Sequence, residues 1–145
     1  MTLKHLLVPV DFSENSLKAI DAALALAKPV GAHVTLLYVL EPIIVTYGEV
    51  LPGDLPNDTE RRYGADAEME RLRGRYALEA PLDTLIVDGT AWDVICDTAE
   101  RKKSDLIVIT SHGYTGLKRM FLGSTAERVV RHAKCPVLVL KSFTD

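Results

Sequence analysis

Thr110-Ser111-His112-Gly113 is followed, after nine residues, by Gly123-Ser124-Thr125, and the run Asp105-Leu-Ile-Val-Ile109 leads directly into it. A strand that ends in a glycine-bearing loop and feeds a helix N-terminus is suited to phosphate, because unpaired backbone N–H groups and the positive end of the helix dipole converge there. The chemistry expected of this stretch is therefore nucleotide binding. Neither Gly-x-x-x-x-Gly-Lys-[Ser/Thr] nor Gly-x-Gly-x-x-Gly after the first strand occurs in the chain, so both common nucleotide fingerprints are absent. Taken only as glycines before a helix, Gly113, Gly116 and Gly123 fit turn and cap roles equally well.

The elements that must position this loop follow from apolar periodicity. Leu3 to Val10 reads as a buried strand, broken by Asp11-Phe12-Ser13 before a helix carrying Leu17, Ile20, Leu24 and Ala27 up to Pro29. His33 to Leu40 is a second strand with almost no polar alternation, as expected when both faces are covered in a parallel sheet. Residues 41–57, rich in Pro and Gly, read as a long mobile connection, and 58–79 as a polar helix with Tyr63, Leu72 and Tyr76 as its apolar stripe. Leu82 to Val87, Asp105 to Ile109 and Pro136 to Leu140 complete five strands. Thr90-x-x-Asp93 and Ser124-x-x-Glu127 resemble capping boxes that open the two helices between them.

Strand and helix alternate throughout, which argues for an α/β fold: a doubly wound, five-stranded parallel sheet with helices on both faces. With strand order 3-2-1-4-5, strands 1 and 4 lie side by side where the winding reverses, the place such sheets hold ligands. Pro9, Val10 and Asp11 then face Thr110, His112 and Gly113. Asp11 is open to two roles, ligand contact or bonding of the turn and cap at the first helix. Ser124 is expected to cap its helix under either reading.

The 145 residues fit a single domain, 1–145, and 48% apolar with 26% charged residues is ordinary globular usage. A net charge of −3 offers no broad attraction to nucleic acid or to an anionic membrane. The few apolar residues before Asp11 are too few for a signal-peptide core or a membrane span, so a cytoplasmic protein is expected. Cys96 and Cys135 form no Cys-x-x-Cys pair and are assigned no chemistry. No nucleophile–base constellation stands out. The expectation is thus a binding protein, at most a slow ATPase. Asp11-Phe-Ser-Glu-Asn-Ser16 also lacks the Ser-Gly-Gly-x-Asp-Ser of adenylating enzymes.

Three stretches carry a resemblance. Val8-Pro-Val-Asp-Phe-Ser13, Ser111-His-Gly-Tyr-Thr-Gly-Leu-Lys-Arg-Met-Phe-Leu-Gly-Ser124 and Val129-Val-Arg-His-Ala-Lys-Cys-Pro-Val-Leu-Val139 together resemble the universal stress protein family, from Leu6 to Leu140. Its nucleotide-binding branch carries Gly, two residues, Gly, nine residues, then Gly and Ser or Thr. Gly113, Gly123 and Ser124 match; Thr110 stands at the first glycine position. The resemblance implies that Gly113, Gly123, Ser124 and Thr125 meet phosphates and ribose, that Pro9 and Asp11 flank the nucleoside, and that the Val39 backbone reads the adenine edge. ATP or a related adenine nucleotide would be the ligand, with Mg²⁺ or Mn²⁺ offsetting the repulsion between Asp11 and a triphosphate. Thr110 either crowds the phosphates with its branched side chain or donates its hydroxyl to one.

The function implied is a stress-response protein whose nucleotide occupancy signals to a protein partner. The alternative is a nucleotide-free dimeric module with a decayed phosphate loop. Val137 to Leu140, a short apolar strand near the chain end, is expected to pair with its copy in a homodimer, an arrangement the resemblance also implies.

Overall fold

The computed structural model describes residues 1–43, 57–112 and 122–141. The mobile connection expected at 41–57 lies almost wholly outside these residues, as does Gly113. In chain order the elements are β1 (His5–Pro9), α1 (Glu14–Ala27), β2 (His33–Leu40), α2 (Asp58–Tyr76), β3 (Leu82–Asp88), α3 (Ala91–Arg101), β4 (Leu106–Thr110), α4 (Ser124–His132) and β5 (Val137–Leu140). The strands form one parallel sheet in the order β3-β2-β1-β4-β5.

Period-two alternation divides the core into two layers. Leu6 and Val8 of β1, Val34 and Leu36 of β2, and Leu106 and Val108 of β4 face Ala19, Ile20, Ala23 and Leu24 of α1 and Met69, Leu72 and Tyr76 of α2. Leu7, Leu37, Ile107 and Ile109 face the other way, onto Ile95 and Ala99 of α3 and Ala126 and Val129 of α4. Near-continuous apolar runs in β1, β2 and β4 thus have a helix layer on each side, which is why they lack polar alternation.

Several ends differ from the sequence expectation. The buried stripe of α2 is Ala65, Met69, Leu72 and Tyr76, while Tyr63 is 77% exposed; Met69 and Leu72 keep helical spacing with Tyr76, and Tyr63 falls outside it. A capping box unforeseen from sequence, Asn57 with Glu60, opens α2. Thr90 is the N-cap of α3 but its side chain makes no capping bond; instead Glu41 Oε2, beyond the end of β2, accepts from Ala91 N at 3.3 Å. At α4 the N-cap is Gly123, not Ser124, and no side chain caps it among the described residues. The reason lies in the tertiary structure next to Gly123. Among the described residues no helix is long and apolar enough to cross a membrane.

Candidate functional site

Winding reverses between β1 and β4, which pair in register Leu6 with Leu106 and Leu7 with Ile107. At the carboxyl edge of the sheet this reversal opens a cleft of about 380 Å³. Pro9, Val10 and Asp11 after β1, Val39 of β2, Thr110 and His112 after β4, and Gly123, Ser124 and Thr125 at α4 all border it. Nine of the ten site residues expected from sequence are thus brought together, and the tenth, Gly113, lies outside the described residues. The cleft also has walls that were not anticipated: Ser16, Tyr38, Glu41, Arg61, Ala91 and Ile95. Ser16 was legible as the last hydroxyl of Asp11-x-Ser13-x-x-Ser16. Nothing in the sequence ties Arg61 to Glu41.

The β1 wall is a closed hydrogen-bonded turn. Asp11 Oδ1 accepts from Ser13 N at 3.0 Å, from Ser13 Oγ, and from Ser16 Oγ at 2.6 Å. Asp11 N donates back to Ser16 Oγ at 2.8 Å, and Ser13, the N-cap of α1, accepts from Ser16 N. Asp11 therefore bonds the turn, and Ser13 does the capping. Between them Phe12 adopts φ 67°, the left-handed region that costs a bulky L-residue about 1–2 kcal/mol. Its ring stacks on Tyr38 at 4.6 Å between centroids. Backbone strain held by surrounding bonds marks a position where geometry matters more than local comfort.

The α4 wall depends on one close approach. Gly123 N donates to Ser111 O at 2.8 Å, and a Cβ at 123 would stand 2.7 Å from that same oxygen. With φ −60° the dihedral is ordinary, so glycine is required by proximity. This contact makes Gly123 the N-cap and moves Ser124 inside the helix. The first intrahelical bond runs from Glu127 N to Gly123 O, leaving the N–H groups of Ser124, Thr125 and Ala126 ahead of it at the cleft. Ser111 N in turn donates to Leu140 O, tying the loop to β5.

His112 is a buried histidine in the loop after β4. It is 5% exposed, its carbonyl accepts from Asn15 Nδ2, and its Nδ1 lies 3.2 Å from Ser111 Oγ. Its Nε2 is buried and has no hydrogen-bond partner among the described residues. On the opposite wall Arg61 donates to the Glu41 carbonyl, fixing the first turns of α2 over the end of β2. Among the described residues no group of three His, Cys, Asp or Glu side chains is placed to hold a metal ion. Burial raises the thiol pKa of both Cys96 and Cys135, which keeps them protonated at neutral pH.

A cleft at the switch point with, among the described residues, a helix N-terminus free of a side-chain cap on one wall and apolar Val39 and Ile95 on another suits an anion joined to a planar apolar group. Residues 2–141 match the family model described as "Universal stress protein family". The chain belongs to that family. Universal stress protein MJ0531 of Methanocaldococcus jannaschii is 34% identical over 142 residues, covering 95% of this chain and 82% of the relative. Among solved structures, hypothetical protein MJ0577 superposes with a TM-score of 0.81 at 28% identity, covering all of both chains. UspA of Lactobacillus plantarum superposes with a TM-score of 0.77 at 30% identity, covering 97% of this chain and 99% of that one. Two further solved universal stress proteins share the fold at 21% and 22% identity; one is a complex with cAMP (TM-score 0.71) and the other, from Archaeoglobus fulgidus, a complex with dAMP (TM-score 0.64).

Thr110 is where this universal stress protein departs from the glycine pattern. It sits at the end of β4, paired with Leu140, and strand alternation assigns its side chain to the layer of Leu106 and Val108. That is the α1 layer; α4 packs on the layer of Ile107 and Ile109. The branched carbon is therefore directed away from the layer that carries the α4 N-terminus.

Proposed function

We propose that this universal stress protein binds ATP or a related adenine nucleotide in the cleft as a regulatory ligand. The observation that carries the reading is that Pro9 to Asp11 and the side-chain-uncapped α4 N-terminus form two walls of one cleft, whose size lies in the range of small-molecule sites. Phosphates take the α4 end, where Gly123, Ser124 and Thr125 offer backbone N–H groups and hydroxyls. The nucleoside takes the Pro9, Asp11 and Val39 end, with the Val39 backbone at the adenine edge. The cAMP and dAMP complexes of two proteins with this fold support the ligand class.

Bound ATP brings Mg²⁺ or Mn²⁺, which offsets the negative charge of the phosphates beside Asp11 and Glu41. Nucleotide serves as a signal, with hydrolysis slow or absent, and it acts on a partner only through different affinities for the two partner-binding states.

Isothermal titration of nucleotide-stripped protein with ATP and Mg²⁺ tests this reading; one saturable site per chain is expected. No heat with ATP, ADP or AMP, from protein shown to be folded, would favour the second reading, a nucleotide-free dimeric module. Thr110 at the first motif position is the observation behind that alternative. Under either reading the protein pairs with its copy along β5, an edge strand whose Leu138 is 36% exposed. Val139→Lys is expected to give monomers by sedimentation, and a variant that stays dimeric would reject this interface.

A further inference from the structure

We propose that His112, whose Nδ1 meets the Ser111 hydroxyl, is the side-chain hydrogen-bond donor for a ligand phosphate through Nε2; this rests on the nucleotide reading and specifies how the site recognises its ligand. Two independent observations converge. The α4 N-terminus, a nine-residue helix, has no side-chain cap among the described residues, and its leading N–H groups border the cleft. Beside it His112, also bordering the cleft, is 5% exposed with a buried Nε2 that no described group satisfies. Buried polar nitrogens are nearly always bonded, because one left without a partner forfeits its hydration and receives nothing in return. Among the described residues this nitrogen is such an exception, and it stands next to a helix N-terminus whose leading N–H groups favour an anion.

Chemistry fixes what that partner must be. Ser111 Oγ lies 3.2 Å from His112 Nδ1, and a hydroxyl donating to that nitrogen leaves the neutral ring with its proton on Nε2. Nε2 then needs an acceptor. The positive end of α4 draws an anionic acceptor to the same place, and a phosphate oxygen meets both demands. The backbone that carries the ring is held on three sides. Asn15 Nδ2 holds the His112 carbonyl, Gly123 N holds the Ser111 carbonyl, and Ser111 N is bonded to Leu140 O. α1, α4 and β5 thus pin the backbone that carries the donor.

The test compares ATP, AMP, adenosine and inorganic tripolyphosphate on the wild type, His112→Leu and His112→Gln, with thermal melts as the check on folding. His112→Leu keeps the bulk and removes the donor. It is expected to weaken ATP, AMP and tripolyphosphate about 10- to 100-fold, the range for a hydrogen bond to a charged group, while adenosine changes less than about twofold. His112→Gln places an amide N–H near the position of Nε2 and is expected to recover most of the loss. Equal weakening of adenosine, or ATP binding by His112→Leu at wild-type strength, overturns the proposal and leaves the nucleotide reading intact. Tripolyphosphate binding without ATP binding, or binding of neither, sinks the nucleotide reading and with it the proposal that rests on it. If His112→Leu does not fold, long-range ¹H–¹⁵N spectra of the wild type with saturating tripolyphosphate decide. A proton on Nε2 whose resonance moves on binding is expected, and a proton on Nδ1 in the complex would refute the assignment.

Discussion

The two edges of the sheet treat their polar groups in opposite ways. At the amino edge His5 Nδ1 meets Ser104 Oγ at 2.8 Å and Nε2 meets Thr35 Oγ1 at 2.7 Å, so both ring nitrogens are bonded. Asp105 accepts from the backbone N–H groups of Lys4 and His5, and His33 pairs with Asp83. At the carboxyl edge, among the described residues, His112 has a buried nitrogen without a partner and α4 has no side-chain cap, and Phe12 is held in a left-handed conformation. The amino edge closes its side chains with internal bonds, whereas the carboxyl edge borders a cleft. The difference teaches that the two edges face different demands: packing at the amino edge, and at the carboxyl edge the shape of the cleft for which a ligand is proposed.

Substitutions can break or sharpen that contrast. The largest effect is expected from Gly123→Val, whose Cβ would stand 2.7 Å from the Ser111 carbonyl. The loop and the helix N-terminus must separate, so titration should show no ATP binding, and the melt should report a loss of about 1–3 kcal/mol from overpacking. Asp11→Ala comes next. It removes the acceptor of three hydrogen bonds that hold Phe12 in place, and both ligand affinity and stability should fall, the latter by about 1–3 kcal/mol in chemical denaturation.

At the opposite edge Ser104→Ala leaves His5 Nδ1 without its hydroxyl and should cost about 1 kcal/mol by the same measurement. Ligand affinity should not change, and a Ser104→Ala protein with altered ATP affinity would erase the contrast between edges.

The smallest effect is a pH dependence. Burial first, then Lys102 and His33, hold His5 below its ordinary value of 6.5. The unfolded chain therefore takes up a proton that the folded ring resists. Stability from this group is complete above about pH 6.5 and declines as pH falls from there to the lower folded value. Asp105 acts in a more acidic window. Backbone bonds from Lys4 and His5 hold its carboxyl below the usual 3.8, so its contribution is present above that pH and is lost as pH falls through the folded value. Melts from pH 8 to pH 5 should be flat and then decline, and His5→Gln should remove the decline. A decline that persists in His5→Gln would assign it elsewhere.

Much of this was legible in one dimension. The bounds of β2 match the periodicity of His33 to Leu40, and five apolar runs alternating with amphipathic stretches led to the parallel α/β sheet, whose observed order is the 3-2-1-4-5 expected of it. The candidate site was legible because its residues lie in the loops after β1 and β4, where that order must place a ligand. The misses share a cause. Ser124 read as a cap because Ser-x-x-Glu is a local pattern, yet Gly123 holds that position through a contact with Ser111 across a stretch of unrelated chain. The capping of Ala91 by Glu41 spans 50 residues.

The sequence by itself determined the element order, the two buried layers of the sheet and the family, because apolar period and motif spacing are properties of neighbouring residues. Only the tertiary structure decided that glycine is needed at 123 by proximity and that His112 is buried, with one nitrogen lacking a partner among the described residues. Asn15 reaches His112 across 97 positions, and Asp105 reaches Lys4 across 101. Contacts of that separation form only when β1 and β4 lie side by side. The partners of these groups, unlike those of Asp11 within its own turn, are therefore settled by packing between distant segments.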